Sequence, residues 1–133
     1  MSHFTTVETK INDLVCLKAA LDDLGLTYDE ATEQSLVKIR GWRGAQQEAE
    51  LSIHVTGQYD VGVRQNADGT YALVADWWGI EEETQQKQEQ LQQRIVQRYA
   101  FHKAKVEAEK QGFTIDEEAV EQDGTIKMTI SRW

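Results

Sequence analysis

The chain has 133 residues, with 40% hydrophobic residues, a formal net charge of −9 and no proline. This length fits a single core, so we expect one domain over residues 1–133. The single cysteine excludes an internal disulfide and a cluster of cysteine ligands, and the acidic balance argues against nucleic-acid binding, which depends on a cationic surface.

The first part of the chain predicts a strand followed by a helix. Residues 3–11 are rich in threonine, which favours a strand, and Asn12 is a suitable N-cap for the helix that follows. Leucines recur at helical spacing and give this helix one apolar face, at Leu14, Leu17, Leu21 and Leu24. We expect Gly25 to end the helix in the left-handed conformation that glycine adopts without strain.

Four strands that alternate apolar and polar residues follow. They cover residues 36–42, 49–55, 59–63 and 71–77, and the alternation predicts that each strand buries one face. The loop that contains Gly41 and Gly44 separates the first two strands, and residues 67–69 form a hairpin turn. Such short connections favour antiparallel pairing.

A long helix and a second hairpin complete the predicted fold. Residues 81–111 predict one helix, with an apolar stripe that consists of Leu91, Ile95, Tyr99, His102 and Val106. Gly112 ends it, and residues 113–120 and 126–133 predict two strands joined by a turn at Asp123 and Gly124. We therefore expect an α+β fold in the order β-α-β-β-β-β-α-β-β, and a further strand near Tyr28 remains open. Its mostly antiparallel sheet has about six strands, with two helices packed on one face in a two-layer arrangement.

A set of motifs along the chain resembles one family in the same order. They are Met1-Ser2-His3-Phe4, Tyr59-Asp60-Val61-Gly62, Leu73-Val74-Ala75-Asp76-Trp77-Trp78-Gly79, Gln97-Arg98-Tyr99-Ala100-Phe101-His102 and the final Arg132-Trp133. Through them the whole chain resembles the hypothetical chloroplast reading frame 35 family of plastid and cyanobacterial genomes. That family is a domain of unknown function, so the resemblance implies no activity or cofactor. It implies a cytoplasmic location or a plastid stroma, and the lack of a long apolar run predicts no membrane span.

The sharpest chemical hypothesis joins Asp60, Asp76, Tyr99 and His102. A histidine beside a carboxylate can act as a general acid or base, and His102 lies on the apolar stripe of the long helix, facing the sheet. The alternative interpretation is a set of buried hydrogen bonds that fix the helix to the sheet. Either way, these four residues are the catalytic candidates if the protein is an enzyme.

Other kinds of site receive less support from the sequence. The histidines, His3, His54 and His102, have no metal-ligand spacing, and His54 alternates outward in its strand as a surface residue. Cys16 lies near the apolar face of the first helix, which is typical of a small buried residue. We therefore expect no metal and no cofactor.

The tryptophans and arginines indicate an interface. Strand alternation predicts that Trp77 and Trp78 point to opposite faces, and Trp42 lies between Arg40 and Arg43 in a loop. Indole beside guanidinium is a common interface composition, although the same pair can stack within one molecule. The other pair of this kind is Arg132 with Trp133.

The sequence thus favours a non-catalytic protein-interaction or assembly-factor domain, with a small enzyme or ligand-binding domain as the alternative. The predicted binding residues are Arg40, Trp42, Arg43, Arg64 and Trp78. The expected partner is another protein, which includes a second copy in a homo-oligomer. RNA binding through Lys38 and these arginines is disfavoured by the net charge.

Overall fold

The computed structural model describes the backbone of residues 3–120 and 126–132 and the side chains of residues 3–113. Nine strands, three α-helices and one 3₁₀ turn are found there. They are β1 (Thr5–Glu8), α1 (Leu14–Asp23), β2 (Tyr28–Glu30), β3 (Val37–Arg40), the 3₁₀ turn (Trp42–Gly44), β4 (Gln46–Ala49), β5 (Leu51–His54), β6 (Asp60–Gln65), β7 (Tyr71–Ala75), α2 (Trp77–Thr84), α3 (Gln88–Lys110), β8 (Phe113–Val120) and β9 (Ile126–Arg132).

The main sheet has five antiparallel strands in the order β1-β7-β6-β5-β2. Because neighbouring residues in a strand point to opposite faces, alternate residues of β5, β6 and β7 form one apolar face. This face packs with α1 and α3 in the main core, and its buried members are Leu51, Ile53, Val61, Val63, Leu73 and Ala75. The predicted α+β fold, with an antiparallel sheet and two helices on one face, is confirmed.

The β3–β4 hairpin lies on the opposite face of the main sheet and does not extend its edge. Ile39 and Ala49 of the hairpin form a small separate core with Val74 of β7, and Phe4 packs against it. Gly62 permits this close approach, because a Cβ atom there would lie 2.7 Å from Cδ1 of Ile39. The middle of the protein therefore has three layers, where the sequence predicted two.

Helix α1 begins one residue later than predicted. Asp13 is the N-cap, because its Oδ1 accepts a hydrogen bond from the backbone N–H of Cys16 at 3.1 Å. Asn12 instead contacts Tyr99, whose hydroxyl accepts the backbone N–H of Asn12 at 3.1 Å. Gly25 has φ +70°, as predicted for the end of this helix.

The single helix predicted over residues 81–111 is wrong, because the structure has two helices. Helix α2 starts earlier, at Trp77, and ends at Thr84, because its C-cap Gln85 adopts the left-handed conformation with φ 60°. Helix α3 then begins at Gln88 and packs against α1 through the predicted stripe, of which Leu91, Ile95 and Tyr99 are buried.

The chain continues from α3 into the β8–β9 hairpin. Gly112 joins them with φ +86°, and Phe113 of β8 pairs with Arg132 of β9 in an antiparallel register. The register shifts between Ile115 and Glu117. The predicted turn at Asp123 and Gly124, and the terminal Trp133, lie outside the described residues.

Candidate functional site

Two buried carboxylates organise one end of the main sheet. Asp60 begins β6 and Asp76 follows β7, and because Val61 pairs with Ala75 in the antiparallel register, the two aspartates lie at the same sheet end. Each has only 1% of its surface exposed. Buried carboxylates require hydrogen-bond donors, and each aspartate finds one at the end of β3 or just after it, Arg40 for Asp60 and Trp42 for Asp76.

Asp60 holds Arg40 through three hydrogen bonds. Its Oδ2 accepts from the backbone N–H of Arg40 at 2.8 Å and from Nε at 2.9 Å, and its Oδ1 accepts from Nη2 at 2.7 Å. Burial alone would raise the pKa of Asp60, but the hydrogen bonds from Arg40 and His54 outweigh it and hold this pKa below its usual value. The same pairing raises the pKa of Arg40.

The guanidinium of Arg40 also holds the turn between β5 and β6. Its Nη1 donates to the carbonyl oxygen of Gly57 at 2.8 Å, and its Nη2 donates to that of Thr56 at 3.3 Å. The predicted interface arginine is therefore fixed in position by the fold, with 41% of its side chain still exposed.

His54 lies between two carboxylates, which the sequence did not indicate. Its Nδ1 is 3.0 Å from Oδ1 of Asp60 and its Nε2 is 3.1 Å from Oδ2 of Asp29. The expectation of an outward-facing surface histidine is thus wrong in one respect, because His54 is only partly exposed and joins the Asp60 network. The signal that could have found it is strand register, since His54 and Asp60 are direct partners of the β5–β6 pair.

Asp76 links the start of α2 to the loop after β3. Its Oδ1 accepts the backbone N–H of Gly79 at 3.1 Å, which caps the helix, and its Oδ2 accepts the backbone N–H of Trp42 at 3.2 Å. Gly79 lies directly against the ring of Tyr59, where a Cβ atom would not fit. The main chain of Trp42 is therefore tied to the helix that carries Trp78.

The adjacent indoles Trp77 and Trp78 have different environments. Trp77 is 7% exposed and belongs to the main core, whereas Trp78 is 52% exposed. The sequence predicted this difference in exposure from opposite faces of a strand, and that reason is wrong. Both residues lie in the first turn of α2, where neighbouring positions are about 100° apart. The exposed indole of this pair is Trp78.

Trp42 and Arg43 form a stacked pair on the surface beside this network. Cζ of Arg43 lies 4.2 Å from the centroid of the Trp42 ring, and Trp42 is 37% exposed. Arg43 has φ 55°, a left-handed conformation that costs a non-glycine residue roughly 1–2 kcal/mol. Within the part of the chain whose side chains are described, Arg43 makes no salt bridge.

A cleft of about 360 Å³ opens next to this pair. It contains two arginines and no carboxylate side chain, and it is lined by Arg40, Gly41, Arg43, Gly44, Ala45, Gln46, Gly57 and Gln58. A larger hollow of about 500 Å³ lies elsewhere, along residues 32–36 with Lys38 and Glu48. The larger hollow contains none of the predicted site residues, whereas the smaller cleft contains Arg40 and Arg43. The smaller cleft is therefore the candidate site.

Comparison with known proteins now gives a family. A family described as "Protein of unknown function (DUF1257)" matches residues 20–129. The chain belongs to this family. It is 33% identical over 139 residues to "Uncharacterized protein ycf35" of Pyropia yezoensis and 32% identical over 139 residues to the protein of that name in Guillardia theta. Each of these alignments covers 100% of this chain and 98% of the relative.

A third relative of the same name, in Cyanophora paradoxa, is 29% identical over 136 residues, again with 100% and 98% coverage. No solved structure matches the chain. The resemblance found from the sequence motifs is therefore confirmed, and the relatives carry names that state no activity.

In this member of the DUF1257 family, the four catalytic candidates do not form one site. Tyr99 donates to Oδ1 of Asn12 at 3.1 Å. This contact lies near the end of β7 opposite to Asp76, because the carbonyl oxygen of the preceding residue, Ile11, accepts the backbone N–H of Tyr71. A strand of five residues separates these ends by about 16 Å.

His102 belongs to a third network, between α3 and α1. Its Nε2 lies 2.6 Å from Oδ2 of Asp23, which also accepts from Arg98. Burial alone would raise the pKa of Asp23, but the hydrogen bonds from Arg98 and His102 outweigh it and hold this pKa below its usual value. His102 was expected to face the sheet, and instead it fixes the end of α1.

Arg64, the remaining predicted binding residue, lies away from the cleft. It is four residues beyond Asp60 along β6, and its Nη2 donates to Oε1 of Gln47 at 2.8 Å and to the carbonyl oxygen of Glu48 at 3.2 Å. It therefore connects the main sheet to the β3–β4 hairpin. Among the residues with described side chains, no group of three or more His, Cys, Asp or Glu is arranged to hold a metal ion.

Proposed function

We propose that this chain is a protein-interaction domain whose binding surface is the end of the sheet that carries Trp42, Arg43 and Trp78, here called the Trp–Arg surface. The observation that carries the proposal is a pair of exposed indoles positioned by one buried carboxylate, because Asp76 accepts the backbone N–H of Trp42 and that of Gly79, which follows Trp78 in the first turn of α2. An assembly factor is the form of this function that we favour, acting in a bacterial cytoplasm or a plastid stroma.

The composition of the Trp–Arg surface supports binding to a protein. Tryptophan and arginine are the side chains most enriched among residues that dominate interface energetics. Trp78 leaves half of its surface in solvent, and Trp42 leaves over a third. Burying such indoles against a partner stabilises a complex by apolar transfer, at about 25 cal/mol for each Å² removed from water.

The rigidity of the surface supports the same function. The backbone of Arg40 is held by Asp60 and that of Trp42 by Asp76, so the loop between them has a fixed position before a partner arrives. A preformed surface loses less conformational entropy on binding than a mobile loop does. In contrast, the alternative enzyme needs Asp60, Asp76, Tyr99 and His102 in one pocket, and they lie in separate networks.

The proposal is tested by capture from a lysate of the source cells with the purified chain as bait. The double variant Trp42→Ala/Trp78→Ala should lose a specific protein that the wild type retains. A matched control is Val15→Ala/Leu36→Ala, which removes two other exposed apolar side chains, at 72% and 45% exposure. If both variants retain the same proteins as the wild type, the Trp–Arg surface is not the interface.

A second copy of the chain is one partner that this surface could bind. Sedimentation of the purified wild type over a range of concentrations detects self-association. If the surface joins two copies, Trp42→Ala/Trp78→Ala should convert the dimer into a monomer while the circular dichroism spectrum stays unchanged.

A further inference from the structure

We propose that the cleft between Arg40 and Arg43 binds a carboxylate side chain of an acidic segment in the partner protein. This inference rests on the proposed function, because it names the chemistry of the partner that the Trp–Arg surface receives. Three features of the cleft support it: the unpaired charge of Arg43, a free donor on Arg40 and open walls.

Arg43 carries a positive charge that the described part of the protein does not neutralise. Its guanidinium contacts the Trp42 ring, 4.2 Å from the centroid, and no side chain that lines the cleft is acidic. A guanidinium that lies over an aromatic face directs its N–H groups outward in its own plane, where they are free for two parallel hydrogen bonds to a carboxylate.

Arg40 contributes a further donor. A guanidinium has five N–H groups, and Arg40 uses four of them, one from Nε to Asp60, two from Nη2 and one from Nη1 to Gly57. The second N–H of Nη1 has no acceptor among the residues whose side chains are described. Because Asp60 balances the charge of Arg40, the cleft presents one uncompensated positive charge, which matches a carboxylate better than a doubly charged phosphate.

The walls of the cleft suit an extended peptide. At Gly44 and Gly57 a Cβ atom would meet no other atom within 4 Å, so the backbone on two sides is open. The volume, about 360 Å³, is near the lower end of the range of roughly 300–1,000 Å³ for ligand sites. It therefore has room for one or two side chains of a peptide that passes over the Trp–Arg surface.

The backbone conformation of Arg43 also supports a binding site here. A glycine would adopt φ 55° without strain, yet this position combines the left-handed conformation with a long cationic side chain. Backbone strain of this kind occurs most often at functional sites. With this backbone conformation the guanidinium of Arg43 lies over the Trp42 ring and lines the cleft.

The test is the binding of fluorescein-labelled hexaglutamate to the purified chain, measured by fluorescence anisotropy, with hexaglutamine as the uncharged control peptide. Wild type should bind hexaglutamate and not hexaglutamine, and the affinity should fall between about 30 mM and about 300 mM NaCl as the charges are screened. Arg43→Asn keeps a residue that tolerates the left-handed conformation and should weaken binding roughly tenfold or more. Arg94→Asn, at an exposed arginine of α3, should bind as the wild type does.

A second variant blocks the cleft without touching the arginines. Gly57→Glu places a carboxylate where space is open and the backbone is unstrained, so it should leave the fold intact and compete with the peptide for Arg43. The inference is overturned if hexaglutamate fails to bind, or if Arg43→Asn and Arg94→Asn bind it equally. It is also overturned if inorganic phosphate displaces the peptide at lower concentrations than acetate, because the site then selects phosphate.

Failure of this inference can be told apart from failure of the proposed function. If hexaglutamate does not bind but Trp42→Ala/Trp78→Ala still loses a captured partner, the interface stands and its partner is not acidic at this point. If hexaglutamate binds but capture is insensitive to the tryptophans, the cleft binds carboxylates and the Trp–Arg surface is not a protein interface.

Discussion

The carboxylate of Asp76 accepts the backbone N–H of Trp42 at 3.2 Å, across 34 positions of the sequence. Its other oxygen accepts the N–H of Gly79 and thereby starts α2. One buried side chain therefore sets the position of both exposed indoles, Trp42 through its own backbone and Trp78 through the helix turn that contains it.

Removing the Asp76 carboxylate should disturb both the fold and the Trp–Arg surface. Asp76→Ala leaves two backbone N–H groups without their acceptor, and each buried unsatisfied donor costs about 1–3 kcal/mol. We expect the free energy of unfolding in urea to fall by roughly 2–4 kcal/mol, with a shift in tryptophan fluorescence. Asp68→Ala, which removes an exposed aspartate from a hairpin turn, should cost less than half as much.

Stability at acidic pH should depend on Asp60. Its folded pKa is lowered from the usual value of 3.8, so its contribution is fully present above that value and is lost as the pH falls through the folded pKa. Asp60→Asn should lower the free energy of unfolding at pH 7 by roughly 2–3 kcal/mol, less than for a fully buried pair because Arg40 can be rehydrated.

The same variant should flatten the loss of stability below pH 4 or so, measured by urea unfolding at a series of pH values. Asp22→Asn, at an exposed aspartate on α1, provides the comparison. An acid-induced loss as steep in Asp60→Asn as in the wild type would show that this carboxylate does not drive it.

Replacing either of the two left-handed residues with glycine should have the same effect on stability but different effects on binding. Arg43→Gly and Gln85→Gly each relieve a positive φ, at 55° and 60°, and should raise the free energy of unfolding by up to about 1 kcal/mol. Only Arg43→Gly removes a side chain of the Trp–Arg surface, so only this variant should lose partner capture and hexaglutamate binding. If both variants bind hexaglutamate equally well, Arg43 does not take part in binding.

Gly79 should not tolerate alanine. Glycine to alanine inside a helix normally stabilises it by about 1 kcal/mol, but here the added Cβ would overlap the ring of Tyr59. We expect Gly79→Ala to destabilise the protein by roughly 1–3 kcal/mol and to lower its melting temperature. Gly57→Ala, where space is open, should change stability by less than about 0.5 kcal/mol. A stabilised Gly79→Ala would show that Tyr59 does not pack there.

The sheet could be predicted from the sequence because its signals are local. Alternation in β5, β6 and β7, and the turn at Gly69 with φ +89°, define antiparallel strands without knowledge of the rest of the chain. The left-handed ends at Gly25 and Gly112 are local signals too. The strand predicted over residues 36–42 was placed in the main sheet, whereas β3 forms a separate hairpin with β4, because alternation identifies a strand and not the sheet that it joins.

The candidate site was only partly predictable because it depends on contacts between distant segments. Because tryptophan favours strands, residues 76–79 predicted the end of a strand. In the structure they start a helix instead, since Asp76 accepts the backbone N–H of Gly79 and caps it. Trp42 and Arg43 could be recognised by composition alone, since their contact is between neighbours. The pairing of Asp60 with Arg40 and His54 requires the register of three strands, which no single segment specifies.

The most direct test of the Trp–Arg surface is site-specific photo-crosslinking in the source cells, with the photoreactive residue benzoylphenylalanine in place of Trp78. A control protein carries the same residue in place of Val15, which is more exposed, at 72%, but lies on α1. We predict a discrete crosslinked product at position 78, reduced by Arg43→Asn and absent at position 15. No product at position 78, or the same product at both positions, would contradict the account.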